Sequence, residues 1–237
     1  MVCRASSSAP CTVTTSGWIC QPWKSVPSYS MRSLKRGIST ESNQAYKTAP
    51  VAMRIYLSGF MASGKSTVGP LVAERRDLDF LDLDDAIEDE ANRSVPEIFA
   101  IEGELGFRQR ETKALWATAE NDDVVVSLGG GTIVSKENRD WAMEHGLVVT
   151  LQVDADTILD RVADEADHRP LLQDENEQPL ARQAMRRRIE QMLSERRAAY
   201  EQVHAVVDAD REPDVVASVI DEIATVWKHR GEVHNVG

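Results

Sequence analysis

The stretch Gly59-Phe60-Met61-Ala62-Ser63-Gly64-Lys65-Ser66-Thr67 fits the phosphate-loop pattern G-x-x-x-x-G-K-[ST] at every required position. Such a loop dictates its surroundings. Its backbone N–H groups face phosphate oxygens only when a strand leads into it and a helix begins beneath it. Both flanks comply: Arg54 to Ser58 is a short apolar, β-prone run, and Val68 to Arg76 has helical composition. The pattern makes Ala62, Ser63, Gly64, Lys65, Ser66 and Thr67 candidate contacts to a nucleoside triphosphate. Lys65 is expected on the β- and γ-phosphates and the Ser66 hydroxyl on Mg²⁺.

Further along, short apolar runs alternate with helical segments. Phe80 to Asp84 reads as a second strand, Val124 to Leu128 as a third, Leu147 to Val153 as a fourth and Val203 to Val207 as a fifth. The β-branched run at 124–126 is the mark of a strand buried on both faces of a parallel sheet. Between them, helices are expected from Asp85, from Ser94 (N-cap, with Glu97 completing a capping box), over Glu104–Glu120, Lys136–His145, Asp156–Ala163, Ala181–Tyr200 and Pro213–Lys228. This alternation predicts one α/β domain over about 51–230: a three-layer, open, five-stranded parallel sheet with right-handed crossovers. A substrate-binding region is expected at about 84–115. The polar stretch at about 164–180 reads as a lid, and 231–237 as a tail.

Charge marks the domain's beginning. Of 27 Lys and Arg and 39 Asp and Glu, residues 1–50 hold six basic and one acidic, leaving a net charge of −17 for 51–237. So acidic a domain argues against nucleic acid or an anionic membrane as partner, and it suits a surface adapted to high ionic strength. The Ser-rich, basic leader at 1–50 has no periodicity and is expected to be disordered. It fits either an organellar transit peptide or an over-long start before Met53, so the expected location is cytoplasmic, with a plastid as alternative. All three cysteines lie in it, at a spacing unlike any zinc signature.

The loop does not choose a reaction, so the other unusual residues must. Asp82 and Asp84 alternate at a strand's carboxyl end, where ligands of open α/β sheets bind. One carboxylate could place Mg²⁺ and the other accept a hydroxyl proton, or Asp84 and Asp85 could simply cap a helix. The third strand ends in Gly129-Gly130-Gly131 with no acid, which moves the metal role toward Asp82; these glycines are either a substrate-gripping backbone or a flexible turn. Arg196 falls on the apolar stripe of its helix and needs an anionic partner there. Arg186 to Arg188 read as a solvated face, and Arg108 is open from spacing alone. Arg169 is placed in the lid to swing onto transferring phosphates.

Taken together, these motifs resemble the shikimate kinase family over about residues 53–228. The resemblance rests on the phosphate loop, Phe80-Leu81-Asp82-Leu83-Asp84, Ile98-Phe99 with Gly103-Glu104 and Phe107-Arg108, Ser127 to Gly131, Arg169-Pro170-Leu171-Leu172, and Arg196 four before Tyr200. It implies strand order 2-3-1-4-5, ATP and Mg²⁺ as cosubstrate and cofactor, and phosphoryl transfer to the 3-hydroxyl of shikimate; the protein is expected to be a monomer. Catalysis would then fall to Lys65, Asp84 and Arg169, with Asp84, Arg108, Gly129, Gly130, Gly131 and Arg196 around shikimate. Arg161 and Arg211 would lie near adenine, and Ser66 and Asp82 would hold the metal. Ala62 and Ala198 depart from the family's usual glycine and proline. A gluconate kinase or a catalytically silent module of the same fold are the competing readings.

Overall fold

Five strands form the core of the domain: β1 (Arg54–Gly59), β2 (Asp79–Asp82), β3 (Val124–Ser127), β4 (Leu147–Gln152) and β5 (Ala205–Asp208). All pair in parallel, in the order β2-β3-β1-β4-β5, as expected. The computed structural model describes residues 13–14, 17–18, 53–162, 170–173 and 178–234. The chain divides into two units, Met1–Lys47 and Thr48–Gly237. In the first, Val13–Thr14 and Gly17–Trp18 pair as a two-residue antiparallel ladder; the rest of the expected leader falls outside the described residues.

The three apolar runs of β1, β3 and β4 form the buried centre of the sheet, where Ile55, Tyr56, Leu57, Val125, Val126, Leu147, Val148 and Val149 are wholly inaccessible. Residues apolar on both faces can be covered only by helices above and below. These are α1 (Lys65–Arg76), α2 (Leu83–Ala91), α3 (Val95–Ala117), α4 (Lys136–His145), α5 (Ala155–Val162), α6 (Arg182–Glu201) and α7 (Pro213–His234). Of the polar side chains these strands bury, the Tyr56 hydroxyl lies 3.0 Å from Thr118 Oγ1, whereas Ser58 Oγ and Thr150 Oγ1 have no hydrogen-bond partner.

The strand expected over Phe80 to Asp84 ends at Asp82, where the Asp82 side chain caps a helix that takes Leu83 and Asp84, and three further boundaries differ for local reasons. The two helices expected from Ser94 and from Glu104 form one run, α3, broken only at Gly103, whose φ of 69° and ψ of −179° are not helical. Strand β5 starts at Ala205 rather than Val203, because the His204 side chain, through Nδ1, takes the Val148 N–H at 3.1 Å where a backbone carbonyl would otherwise serve. Helix α7 continues past Lys228 to His234, into residues expected to be tail.

The register brings the functional segments to one edge. Leu57 lies opposite Ser127, Ser127 opposite Asp82, and Gly59 opposite Leu151. The phosphate loop, the Asp82 turn and the triple-glycine turn therefore leave the sheet side by side at the strands' carboxyl ends, the edge where such sheets bind ligands.

Candidate active site

Two adjoining cavities open at that edge. The larger, about 600 Å³, is lined by Met61 to Val68 with Asp82, Asp84, Gly130, Arg161 and Arg211. The smaller, about 240 Å³, is lined by Val95, Phe99, Phe107, Arg108, Glu111, Gly129 to Gly131, Leu171 and Arg196. Both contain Met61, Asp84 and Gly130, so Asp84 stands where the two cavities meet.

On the loop side, Lys65 Nζ curls back to donate to the carbonyls of Gly59 (3.1 Å) and Phe60 (3.0 Å). It is thus already aligned along the concave face of the loop, at the N-terminus of α1, where N–H groups and the helix dipole favour anions. Ala62 adopts φ 57°, a left-handed conformation that glycine takes freely and an L-residue only under strain. Arg161 Nη1 holds this peptide by donating to the Ala62 carbonyl at 2.9 Å. Arg211 lines the same cavity but is tied to Asp208 at 3.0 Å. Arg169 lies outside the described residues.

Asp82 does two things at once. Its Oδ1 accepts the Asp84 N–H at 3.1 Å and so caps α2, the task the alternative reading gave to Asp84 and Asp85, while its Oδ2 accepts from Ser66 Oγ at 3.0 Å. With Asp82 as the cap, Asp84 projects from the first turn of α2 without that duty. Its Oδ1 is buried and has no hydrogen-bond partner. Burial, reinforced by the charges of Asp82 and Glu111 and opposed by Lys65, raises its pKa from 3.8 to about 6. An unpartnered carboxylate with a pKa near neutrality, beside a cavity, is what a general base requires.

The smaller cavity is built around two anchors, the Glu111 carboxylate and the Gly130 carbonyl. Arg108 Nη1 donates to Glu111 Oε2 at 2.8 Å, and Glu111 Oε1 in turn accepts from Thr132 Oγ1 at 2.7 Å. Glu111 is 1% exposed, so it fixes both the guanidinium and the turn after the glycines. Across the cavity, Arg196 Nη1 (3.2 Å) and the Tyr200 hydroxyl (2.6 Å) both donate to the Gly130 carbonyl, and the Arg196 guanidinium sits 5.6 Å from the centre of the Phe60 ring. The glycines are required for closeness: a Cβ on Gly131 would stand 2.5 Å from Arg108 Nη1, and one on Gly129 would stand 2.7 Å from Glu111 Oε1. Two guanidinium groups and the Asp84 carboxylate thus line one cavity of about 240 Å³.

A sequence model described as shikimate kinase matches residues 61–226. The chain belongs to the shikimate kinase family. A curated shikimate kinase of Salinibacter ruber is 51% identical over 176 residues, covering 74% of this chain and 86% of the relative. One from Symbiobacterium thermophilum is 38% identical over 184 residues, covering 76% and 99%. Among solved structures, the shikimate kinase of Acinetobacter baumannii in complex with shikimate superposes with a TM-score of 0.68 at 32% identity, covering 76% of this chain and 96% of that one. A gluconokinase from Sinorhizobium meliloti, at 18% identity and a TM-score of 0.53, shares the fold alone.

The structure therefore gathers Ala62 to Thr67, Asp82, Asp84, Arg108, Gly129 to Gly131, Arg161, Arg196 and Arg211 around two cavities of a shikimate kinase fold. Sequence reasoning missed Glu111, although an acid three residues after Arg108 on one helix was a legible pairing signal. It also named Tyr200 only as the end of its helix and by its spacing from Arg196, whereas the hydroxyl anchors the glycine turn.

Proposed function

We propose that the chain transfers the γ-phosphoryl group of ATP to the 3-hydroxyl of shikimate, giving ADP and shikimate 3-phosphate. The reading rests on membership of the shikimate kinase family and, above all, on Asp84, whose unpartnered carboxylate lines both cavities.

ATP occupies the larger cavity, with its phosphates against the N–H groups of Ser63 to Thr67 and its γ-phosphoryl drawn by Lys65 toward Asp84. Shikimate occupies the smaller. Arg108 and Arg196 fork onto its carboxylate, a geometry a guanidinium supplies and an ammonium does not. Gly130 lends its backbone, and Glu111 and Tyr200 keep those groups aimed. The Asp84 carboxylate accepts the hydroxyl proton as the oxygen bonds to the γ-phosphorus and the bond to the ADP oxygen breaks.

Ser66 and Asp82 present a hydroxyl and a carboxylate oxygen 3.0 Å apart beside the loop, the hard-oxygen donor set that Mg²⁺ takes from a protein while keeping water and phosphate ligands. When bound, Mg²⁺ neutralises charge on the phosphate oxygens. Arg169 is assigned to the phosphates from the lid. Action as a monomer is part of the proposal.

An ADP-release assay with shikimate and with gluconate tests the reading. Turnover with shikimate and none with gluconate is expected; gluconate turnover without shikimate turnover would replace it.

A further inference from the structure

Helix α3 is broken in the middle by Gly103, and the break sits between the two halves of the acceptor cavity's wall. Val95 and Phe99 line the cavity from before the break, and Phe107, Arg108 and Glu111 line it from after. The backbone at Gly103, with φ at 69°, is open to glycine and strained for other residues, and nothing lies within 4 Å of where a Cβ would stand. Packing at Gly103 itself therefore does not set the angle between the halves.

A side-chain fork spans the break, as does the Phe99–Phe107 ring contact at 4.6 Å. Arg110 Nε and Nη2 donate to Glu102 Oε2 and Oε1 at 2.8 and 2.9 Å. These residues are eight apart, whereas neighbours on a straight helix meet at three or four. The fork thus exists because the helix is broken, and it holds one bend. Gly106 makes room for it: a Cβ there would stand 2.5 Å from Glu102 Cβ and 3.3 Å from its Oε2. The Glu102 stem crosses the space that a side chain at 106 would fill. Arg93 adds a second, longer contact to Glu102 at 3.9 Å.

We propose that Glu102, Gly106 and Arg110 form a latch across the Gly103 break, in which Glu102 and Arg110 are positioning residues that hold the Val95–Phe99 wall onto the acceptor. The effect on kinetics rests on the proposed reading of the smaller cavity as the shikimate site. Neither Val95 nor Phe99 lines the larger cavity, so releasing the latch weakens binding of the acceptor and leaves the nucleotide alone.

The experiment compares Arg110→Met, Glu102→Gln, the double variant and the exchange Glu102→Arg with Arg110→Glu, measuring KM for shikimate and for ATP. Each single variant should raise KM for shikimate about 1.5- to fivefold, the range for an ion pair of this exposure, with kcat and KM for ATP unchanged. The double variant should be no worse than the singles, and the exchange should recover part of the loss. Gly106→Ala, which favours an ordinary helix, should here raise KM for shikimate as well. An unchanged KM in Arg110→Met, an equal rise for ATP, or additive losses would overturn the latch. Amide hydrogen exchange of residues 95–102 reads the same latch without any substrate. Faster exchange in Arg110→Met supports it even should the wild type fail to turn over shikimate, and unchanged exchange overturns it.

Discussion

Replacing Asp84 by asparagine should make the protein more stable while removing its activity. The carboxylate is charged at neutral pH although burial, Asp82 and Glu111 all disfavour that charge, and its pKa rises from 3.8 to about 6. A group whose folded pKa lies above its unfolded value contributes stability below the unfolded pKa, and that contribution is lost as pH rises through the folded one. At pH 7 the wild type therefore carries a penalty of up to about 3 kcal/mol, at about 1.4 kcal/mol per tenfold change in proton affinity. Asparagine is neutral at every pH and offers Asp82 and Glu111 a donor, so Asp84→Asn avoids most of that penalty. Taking about 1–3 kcal/mol and about 2–4 °C per kcal/mol for a domain of this size, the variant should melt several degrees above wild type at pH 7. Its advantage should shrink as pH falls from 7 toward 4. Differential scanning calorimetry across that range, with turnover measured in parallel, is the assay. A variant that melts below wild type at pH 7, or whose advantage is independent of pH, would refute the account of Asp84 as a buried, destabilised base.

Other expectations follow from the same contacts. Arg196→Lys should raise KM for shikimate by about tenfold, since an ammonium cannot make the bidentate fork, while KM for ATP stays put; steady-state kinetics with each substrate varied checks this. Ala62→Gly should stabilise by about 1 kcal/mol, because the left-handed strain at φ 57° disappears and exceeds the added freedom of glycine in the unfolded chain; a melting temperature equal to or below wild type counts against the strain. Burial lowers the His204 pKa, and its Nδ1 accepts a backbone N–H, so the neutral ring is the folded form. The stability His204 contributes is present above its unfolded pKa of about 6.5 and is lost as pH falls through the lower folded value, and His204→Asn should flatten that part of the pH–stability curve.

The phosphate loop and the β-branched run at 124–126 were legible because they report local chemistry: glycines, a lysine and a strand with no polar face. The sheet order came with the family resemblance carried by the motifs from Gly59 to Arg196. What the sequence hid depends on distance in the chain. Asp82 was legible as a strand-end acid, but its capping of α2 shows only once the Asp84 N–H is seen to turn onto it. Ala62 was visible as a departure, yet the positive φ that gives it a consequence belongs to the backbone. Glu111 looked like one acid among many in an acidic domain. Its meaning comes from Thr132, 21 residues away, and from the near absence of solvent around it. The latch was hidden in the same way, because the break at Gly103 is what brings Glu102 to Arg110.

The central claim is that this site joins a phosphoryl group to one hydroxyl of shikimate, with Asp84 taking the proton. Phosphorus NMR of a reaction holding equal amounts of ATP and shikimate tests it most directly. One phosphomonoester, coupled to the proton on carbon 3 of the ring, should appear in step with ADP in the wild type and be absent in Asp84→Asn. Inorganic phosphate in place of that ester, or the same ester formed at an undiminished rate by Asp84→Asn, would contradict it.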